Sequence, residues 1–215
     1  MKILLEGLRK FSSEVYPQQR PLFEKLAAGQ APHTLFITCS DSRIDPNLMT
    51  QTEPGEIFVI RNAGNIIPPY EASNGGEEAA IEFAVDGLRV KHIVVCGHSH
   101  CGAMVALMNP DSTQGLPSVK RWLGHAESTR RRSLECNPQG SAEDTARENV
   151  LVQIENLKTH PSVSAAIRSK RIHLFGWVYH FETGYVFIYD PKEGRFVPSL
   201  EIKKRSETDL LSLSL

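Results

Sequence analysis

Short apolar runs, each closed by glycine, cysteine or a polar cluster, alternate along this chain with stretches whose apolar residues recur at helical spacing. Thr34-Leu35-Phe36-Ile37-Thr38, Ile57-Phe58-Val59-Ile60 and Ile93-Val94-Val95-Cys96 are β-branched and apolar throughout, which predicts strands buried on both faces. Two later runs, 172–178 and 185–189, are separated by Glu182-Thr183-Gly184, a turn that makes this pair antiparallel. Helical stripes fall between them. Leu5, Leu8 and Phe11 form one, and Leu22, Phe23, Leu26 and Ala27 another, with Pro17 and Pro21 separating the two. Asn74 with Glu77 marks a helix start, followed by Ile81, Ala84, Val85 and Leu88 at i, i+3, i+4 and i+7. A helix beginning near Cys101 carries Met104, Val105 and Met108. From Pro117 to Pro161 the chain reads as mostly helical, with a capping box at Ser141 and Asp144 and a buried stripe at Ala146, Val150, Ile154 and Leu157.

Strands alternating with helices predict an α/β fold: a mainly parallel central sheet with an antiparallel edge strand, flanked by helices. The domain is expected over residues 1–200, with 1–30 as an N-terminal helical arm and 201–215 as a frayed or partner-docked tail.

Composition narrows the function classes. Hydrophobic residues make up 40% and charged residues 23% of 215, ordinary for one globular domain. A formal charge of -1 argues against nucleic-acid binding, and Arg130-Arg131-Arg132 reads as a solvated helix face. No apolar run approaches the roughly 20 residues of a membrane span. The opening Met1-Lys2-Ile3-Leu4-Leu5-Glu6 reaches charge too early for a secretory segment, so a cytoplasmic location is expected. There a reducing environment leaves Cys39, Cys96, Cys101 and Cys136 free as thiols.

The chemistry gathers where strands end. Cys39-Ser40-Asp41-Ser42-Arg43 follows the first predicted strand, and Gly97-His98-Ser99-His100-Cys101-Gly102 follows the third. Ligands of open α/β sheets bind outside the carboxyl ends of the strands. Two thiolates and an imidazole are a soft donor set that suits zinc, and three protein ligands leave a fourth position open. Cys39, His98 and Cys101 are therefore the candidate ligands. His100 competes with His98, but the Gly102 that follows argues against an extended backbone that would put both on one side. Cys96 continues a β-branched strand and reads as a small buried hydrophobe. Asp41 and Arg43 form an ion pair that keeps the carboxylate ionised, able either to accept a hydrogen bond beside the metal or to bind it. A phosphatase-type loop needs five residues between Cys and Arg, where this chain has three, and no Cys-x-x-Cys redox pair occurs.

Cys-Ser-Asp-Ser-Arg, the loop Arg61-Asn62-Ala63-Gly64-Asn65 and Gly97-His98-Ser99-His100-Cys101-Gly102-Ala103 together resemble the β-class carbonic anhydrases. The resemblance runs from about Leu5 to Val197 and is nearest to the bacterial and cyanobacterial branch that is similar to the plant enzymes. It implies reversible hydration of carbon dioxide to bicarbonate and a proton by a zinc-bound hydroxide, with one zinc per subunit held by Cys39, His98 and Cys101. Asp41 and Arg43 are then the catalytic dyad. Gln30, Phe58, Ala63, Phe83 and Gly102 are implied around the substrate, with Gln30 and Phe58 reaching across a homodimer interface. Dimers can assemble further into tetramers or hexamers, and a carboxysome is an alternative location. Two positions depart from the plant pattern near the proton exit: Phe83 replaces a tyrosine and Gly87 a histidine. At an inhibitory bicarbonate site of some bacterial relatives, Phe36 stands in place of a tryptophan while Arg61 remains. Hydrolysis of carbon disulfide or carbonyl sulfide on the same scaffold, or zinc binding without catalysis, are the alternatives.

Overall fold

Of the 215 residues, the computed structural model describes 1–73, 75–202 and 215. They divide into two compact units, Met1–Ala31 and Pro32–Leu215.

The N-terminal unit is helical: α1 (Lys2–Lys10), a π-helical turn (Phe11–Val15) and α2 (Tyr16–Ala27). The prolines do not separate two helices. Pro17 falls in the first turn of α2, where a missing N–H is tolerated, and Pro21 is carried inside α2. The π turn spaces Phe11 and Tyr16 five residues apart, which brings their rings to 6.2 Å. Phe23 closes the cluster at 5.5 Å from Tyr16.

The second unit is built on a six-stranded sheet of order β2-β1-β3-β4-β5-β6 among the described residues. Its strands are β1 (Thr34–Cys39), β2 (Ile57–Asn62), β3 (His92–His98), β4 (His173–His180), β5 (Tyr185–Asp190) and β6 (Arg195–Pro198). The four strands β2, β1, β3 and β4 run parallel, and β5 and β6 add antiparallel on the far edge. The antiparallel edge is as expected, with β6 extending it by one further antiparallel pairing beyond β5. All six residues of β1 are buried, as expected of a central strand covered on both faces.

Side-chain alternation sorts the core. Leu35, Ile37, Ile93, Val95 and Leu174 face the helices, while Phe36, Val94 and Cys96 face the opposite side with Trp177 and Tyr179. The main helix on the first face is α8 (Ala142–Thr159), capped by the reciprocal Ser141–Asp144 box. Its stripe Ala146, Val150, Ile154 and Leu157 is buried, each large side chain contributing about 1.5–3 kcal/mol. Glycines let it approach: a Cβ on Gly97 would lie 3.0 Å from Val150, and one on Gly176 2.9 Å from it.

The other helices are α3 (Pro46–Thr50), α4 (Gly76–Glu82, continued by a π turn to Gly87), α5 (Gly102–Met108), α6 (Pro117–Leu123), α7 (Glu127–Cys136), α9 (Pro161–Arg168) and α10 (Ser199–Ile202). Gly75 is the N-cap of α4; the predicted cap Asn74 lies outside the described residues. Most of the tail, 203–214, also lies outside them. Among the described residues no helix is long and apolar enough to cross a membrane.

Candidate metal centre

β1 and β3 are hydrogen-bonded neighbours, and the chain leaves both at the same edge of the sheet. Cys39 is the last residue of β1, His98 the last of β3, and Cys101 the N-cap of α5 three residues on. The structure brings these three together. Their donor atoms lie within 4.8 Å of one another, and all three residues are buried. His98 Nδ1 contacts the Ser99 carbonyl at 2.8 Å. A carbonyl only accepts, so Nδ1 carries the hydrogen and Nε2 presents a lone pair. That Nε2 is buried without a hydrogen-bond partner. His100 stands apart: its φ of 52° turns the chain, its side chain is 66% exposed, and its ring lies 3.7 Å from Glu182.

The two thiols are driven in opposite directions. Cys39 is held far below the usual thiol range by the hydrogen bond from Cys101, which outweighs burial; the N–H groups of Gly64 and Asp41 assist. Cys101 moves the opposite way, raised by the same bond and by burial. A site that already favours one thiolate, with a second thiol and an unpaired imidazole nitrogen around it, fits a zinc ion by donor chemistry. Cys96, by contrast, is fully buried and its thiol is pushed up to about 12.

Asp41 and Arg43 flank the cluster. Asp41 Oδ1 accepts from the Arg43 backbone N–H at 3.0 Å and from Nε at 2.9 Å; Oδ2 accepts from Nη2 at 2.7 Å. Oδ1 is thereby saturated, while Oδ2 keeps a lone pair and lies 4.0 Å from His98 Nε2. These Arg43 bonds hold the Asp41 carboxyl well below the usual carboxylate range. Arg43 is itself positioned by the His100 carbonyl at 3.2 Å and by the Phe181 ring, 4.3 Å from its guanidinium carbon.

The 62–67 loop closes the other side. Gly64 N–H donates to Cys39 Sγ at 3.3 Å. Only glycine fits there: φ is +83°, and a Cβ would lie 2.9 Å from that of Ala103. Ala63, expected beside substrate, accepts through its carbonyl from Trp122 Nε1 at 2.8 Å. From α8, Asn149 donates to the Gly64 carbonyl at 2.9 Å and Gln153 accepts from Ile67 N–H at 2.8 Å. Arg61 donates to the carbonyls of Cys39 and Asp41 at 3.1 and 2.7 Å. Phe36 packs edge-to-face on Trp177 and offers no N–H.

The remaining candidates lie elsewhere. Gly102 opens α5 directly after Cys101. Phe58 pairs with Leu35, four residues before Cys39 along β1, which sets it about 13 Å from the cluster at strand rise. Phe83 stands 6.0 Å from Phe58 and is half-exposed. Its ring covers Gly87, where a Cβ would come within 2.8 Å, so the two departures from the plant pattern form one packing arrangement. Gln30 is exposed in the N-terminal unit. Sequence reading missed Trp122, Asn149 and Phe181, whose roles arise from contacts across the fold; Gly64 was visible only as part of a flagged loop.

Residues 34–186 match the family model described as carbonic anhydrase. A carbonic anhydrase of Synechococcus elongatus is 53% identical over 191 residues, covering 86% of this chain and 70% of that protein. The solved structure of the β-carbonic anhydrase CcaA is 49% identical at a TM-score of 0.90, covering 92% of this chain and 98% of that one. A solved structure of tetrameric β-carbonic anhydrases from Sordaria macrospora is 31% identical at a TM-score of 0.77, covering 87% and 95%.

Proposed function

The chain belongs to the β-class carbonic anhydrases, enzymes of the lyase class, and on that premise we propose that it catalyses reversible hydration of carbon dioxide with one zinc ion per subunit on Cys39, His98 and Cys101. The observation that carries this is the convergence of three soft donors within 4.8 Å beside an Asp–Arg pair. Held by these three residues, a zinc ion would supply hydroxide at neutral pH, since it lowers the pKa of a water from 15.7 to about 7.

The chain's own residues do the rest. Asp41, kept ionised by Arg43, can only accept; Oδ2 would accept a hydrogen bond from the nucleophile's remaining hydrogen and so turn its lone pair toward the carbon. Arg43 also keeps Asp41 from swinging onto the metal, since both oxygens are tied to one guanidinium. Carbon dioxide is apolar and needs a small dry wall with few donors, the role assigned to Ala63, Gly102, Phe58 and Phe83 with one amide from Gln30. Phe58 lies too far from its own cluster for this, which supports a homodimer in which each subunit lends its Phe58 and Gln30 to the other. The tetrameric relatives support assembly beyond the dimer. Phe83 and Gly87 carry no ionisable group where plant relatives have a tyrosine and a histidine, which supports direct proton transfer to buffer. Free thiols and membership of this family support a cytoplasmic site of action.

Stopped-flow hydration with graded buffer tests this, with carbon disulfide and carbonyl sulfide assayed alongside. The reading expects carbon dioxide turnover that rises with buffer concentration. Turnover of the sulfur gases alone, or zinc without turnover from neutral to alkaline pH, contradicts it.

A further inference from the structure

The loop that touches Cys39 is gripped from behind. The Ala63 carbonyl and the Gly64 N–H are the two ends of one peptide group. No described peptide bond is cis, so the two point in opposite directions from one plane. The N–H end donates to Cys39 Sγ at 3.3 Å. The C=O end accepts from the indole N–H of Trp122 at 2.8 Å. A hydrogen bond at one end of an amide fixes the plane and polarises the N–H at the other, which becomes a stronger donor.

Other contacts make this arrangement specific. The next carbonyl, that of Gly64, accepts from Asn149 Nδ2 at 2.9 Å. Asn149 is fully buried, and its amide orientation is set because Oδ1 accepts from Gln153 and Thr129 at 2.9 and 3.1 Å. The left-handed Gly64 thus sits between two clamped peptide planes. The indole is itself held, 5.5 Å from the His125 ring and packed on the cluster that contains Cys39 and Cys101.

We propose that Trp122 is a positioning residue for the metal thiolate: through the Ala63–Gly64 peptide it aims the Gly64 N–H at the Cys39 sulfur and so retains the metal. The inference rests on the zinc reading above. A hydrogen bond on a ligating sulfur disperses its charge and limits its freedom to leave the ion, an effect of outer contacts that reaches 10–100-fold in metal affinity.

The test uses Trp122→Phe, which keeps an aromatic ring and removes the N–H. Zinc loss to EDTA should quicken by about 10-fold. In cobalt(II)-loaded protein the sulfur-to-cobalt absorption should shift, and the Gly64 amide proton should move upfield. Leu123→Ala removes packing from the same helix and cluster. It should lower thermal stability while leaving the cobalt band in place. A folded Trp122→Phe protein with unchanged band, amide shift and zinc loss overturns the inference, as does a Leu123→Ala protein with the same band shift. Should Trp122→Phe fail to fold, the unsubstituted protein loaded with cadmium-113 decides. The Gly64 amide proton should then couple to the metal and the Trp122 indole N–H should resist exchange; absence of either overturns the inference. A parent protein that takes up no zinc, cobalt or cadmium sinks the zinc reading together with this one, whereas normal uptake with an indifferent Trp122→Phe sinks this one alone.

Discussion

The two ends of the parallel sheet each gather three side chains able to bind a metal, and only one end arranges them to do so. At the carboxyl ends of β1 and β3 stand Cys39, His98 and Cys101, with donor atoms within 4.8 Å. At the opposite end His33, His92 and His173 sit on adjacent strands or just before them, with Thr34 opposite His92 and His92 opposite His173. Registered neighbours in a parallel sheet project side by side, so their tips do not converge. The rings of His92 and His173 stand 6.0 Å apart, and His33 Nδ1 contacts Thr34 Oγ1 at 2.7 Å. Among the described residues only the cysteine–histidine cluster converges. Strand exits, where the backbone can turn, make a site; strand starts locked in register make a row.

Electrostatics differ in the same sense. Of the cysteine pair, Cys39 is set to lose its proton with Cys101 as donor, while His92 is set to refuse one: burial lowers its pKa, with His173, His33 and Lys91 adding repulsion.

Substitutions at the two ends should therefore behave differently. The largest effect is expected from Cys39→Ala or Cys101→Ala, each reducing bound zinc to a trace by elemental analysis and hydration by at least about 10³-fold. Arg43→Ala should lower hydration by about 10–100-fold while zinc content holds. Thiolate-to-cobalt spectra should report altered coordination as Asp41 is released. Gly64→Ala, which forces a side chain into a left-handed position against Ala103, should cost about 1–3 kcal/mol in denaturant unfolding and loosen the metal. The smallest effect is expected from His92→Gln at the row. Because the folded pKa of His92 lies below its usual value, the unfolded chain binds more protons as pH falls below about 6.5, and stability declines there. Replacement should flatten that acid slope and leave zinc and hydration unchanged.

The sheet and the converging Cys39, His98 and Cys101 were legible in the sequence for one reason: buried parallel strands are written as β-branched runs, and the cluster lies at or just past their ends. His98 could be preferred to His100 because the Gly102 that follows argues against an extended backbone through both, and β3 ends at His98 with His100 turned to a φ of 52°. β6 escaped notice because Arg195, Phe196, Val197 and Pro198 form too short a run, with proline at the edge. The helical arm looked broken because Pro17 and Pro21 are punctuation in sequence; the preceding π turn and the ring cluster are tertiary facts. Trp122 lies 59 residues from Ala63 and Asn149 lies 85 from Gly64, so no local spacing could reveal either clamp.

The most direct measurement is zinc content and carbon dioxide hydration on the same purified, reduced sample, before and after exhaustive chelation and again after zinc is returned. The account predicts one zinc per chain, turnover that vanishes with the metal, and turnover restored in proportion to zinc regained. Hydration that persists in demonstrably metal-free protein, or its absence at full zinc occupancy, would contradict it.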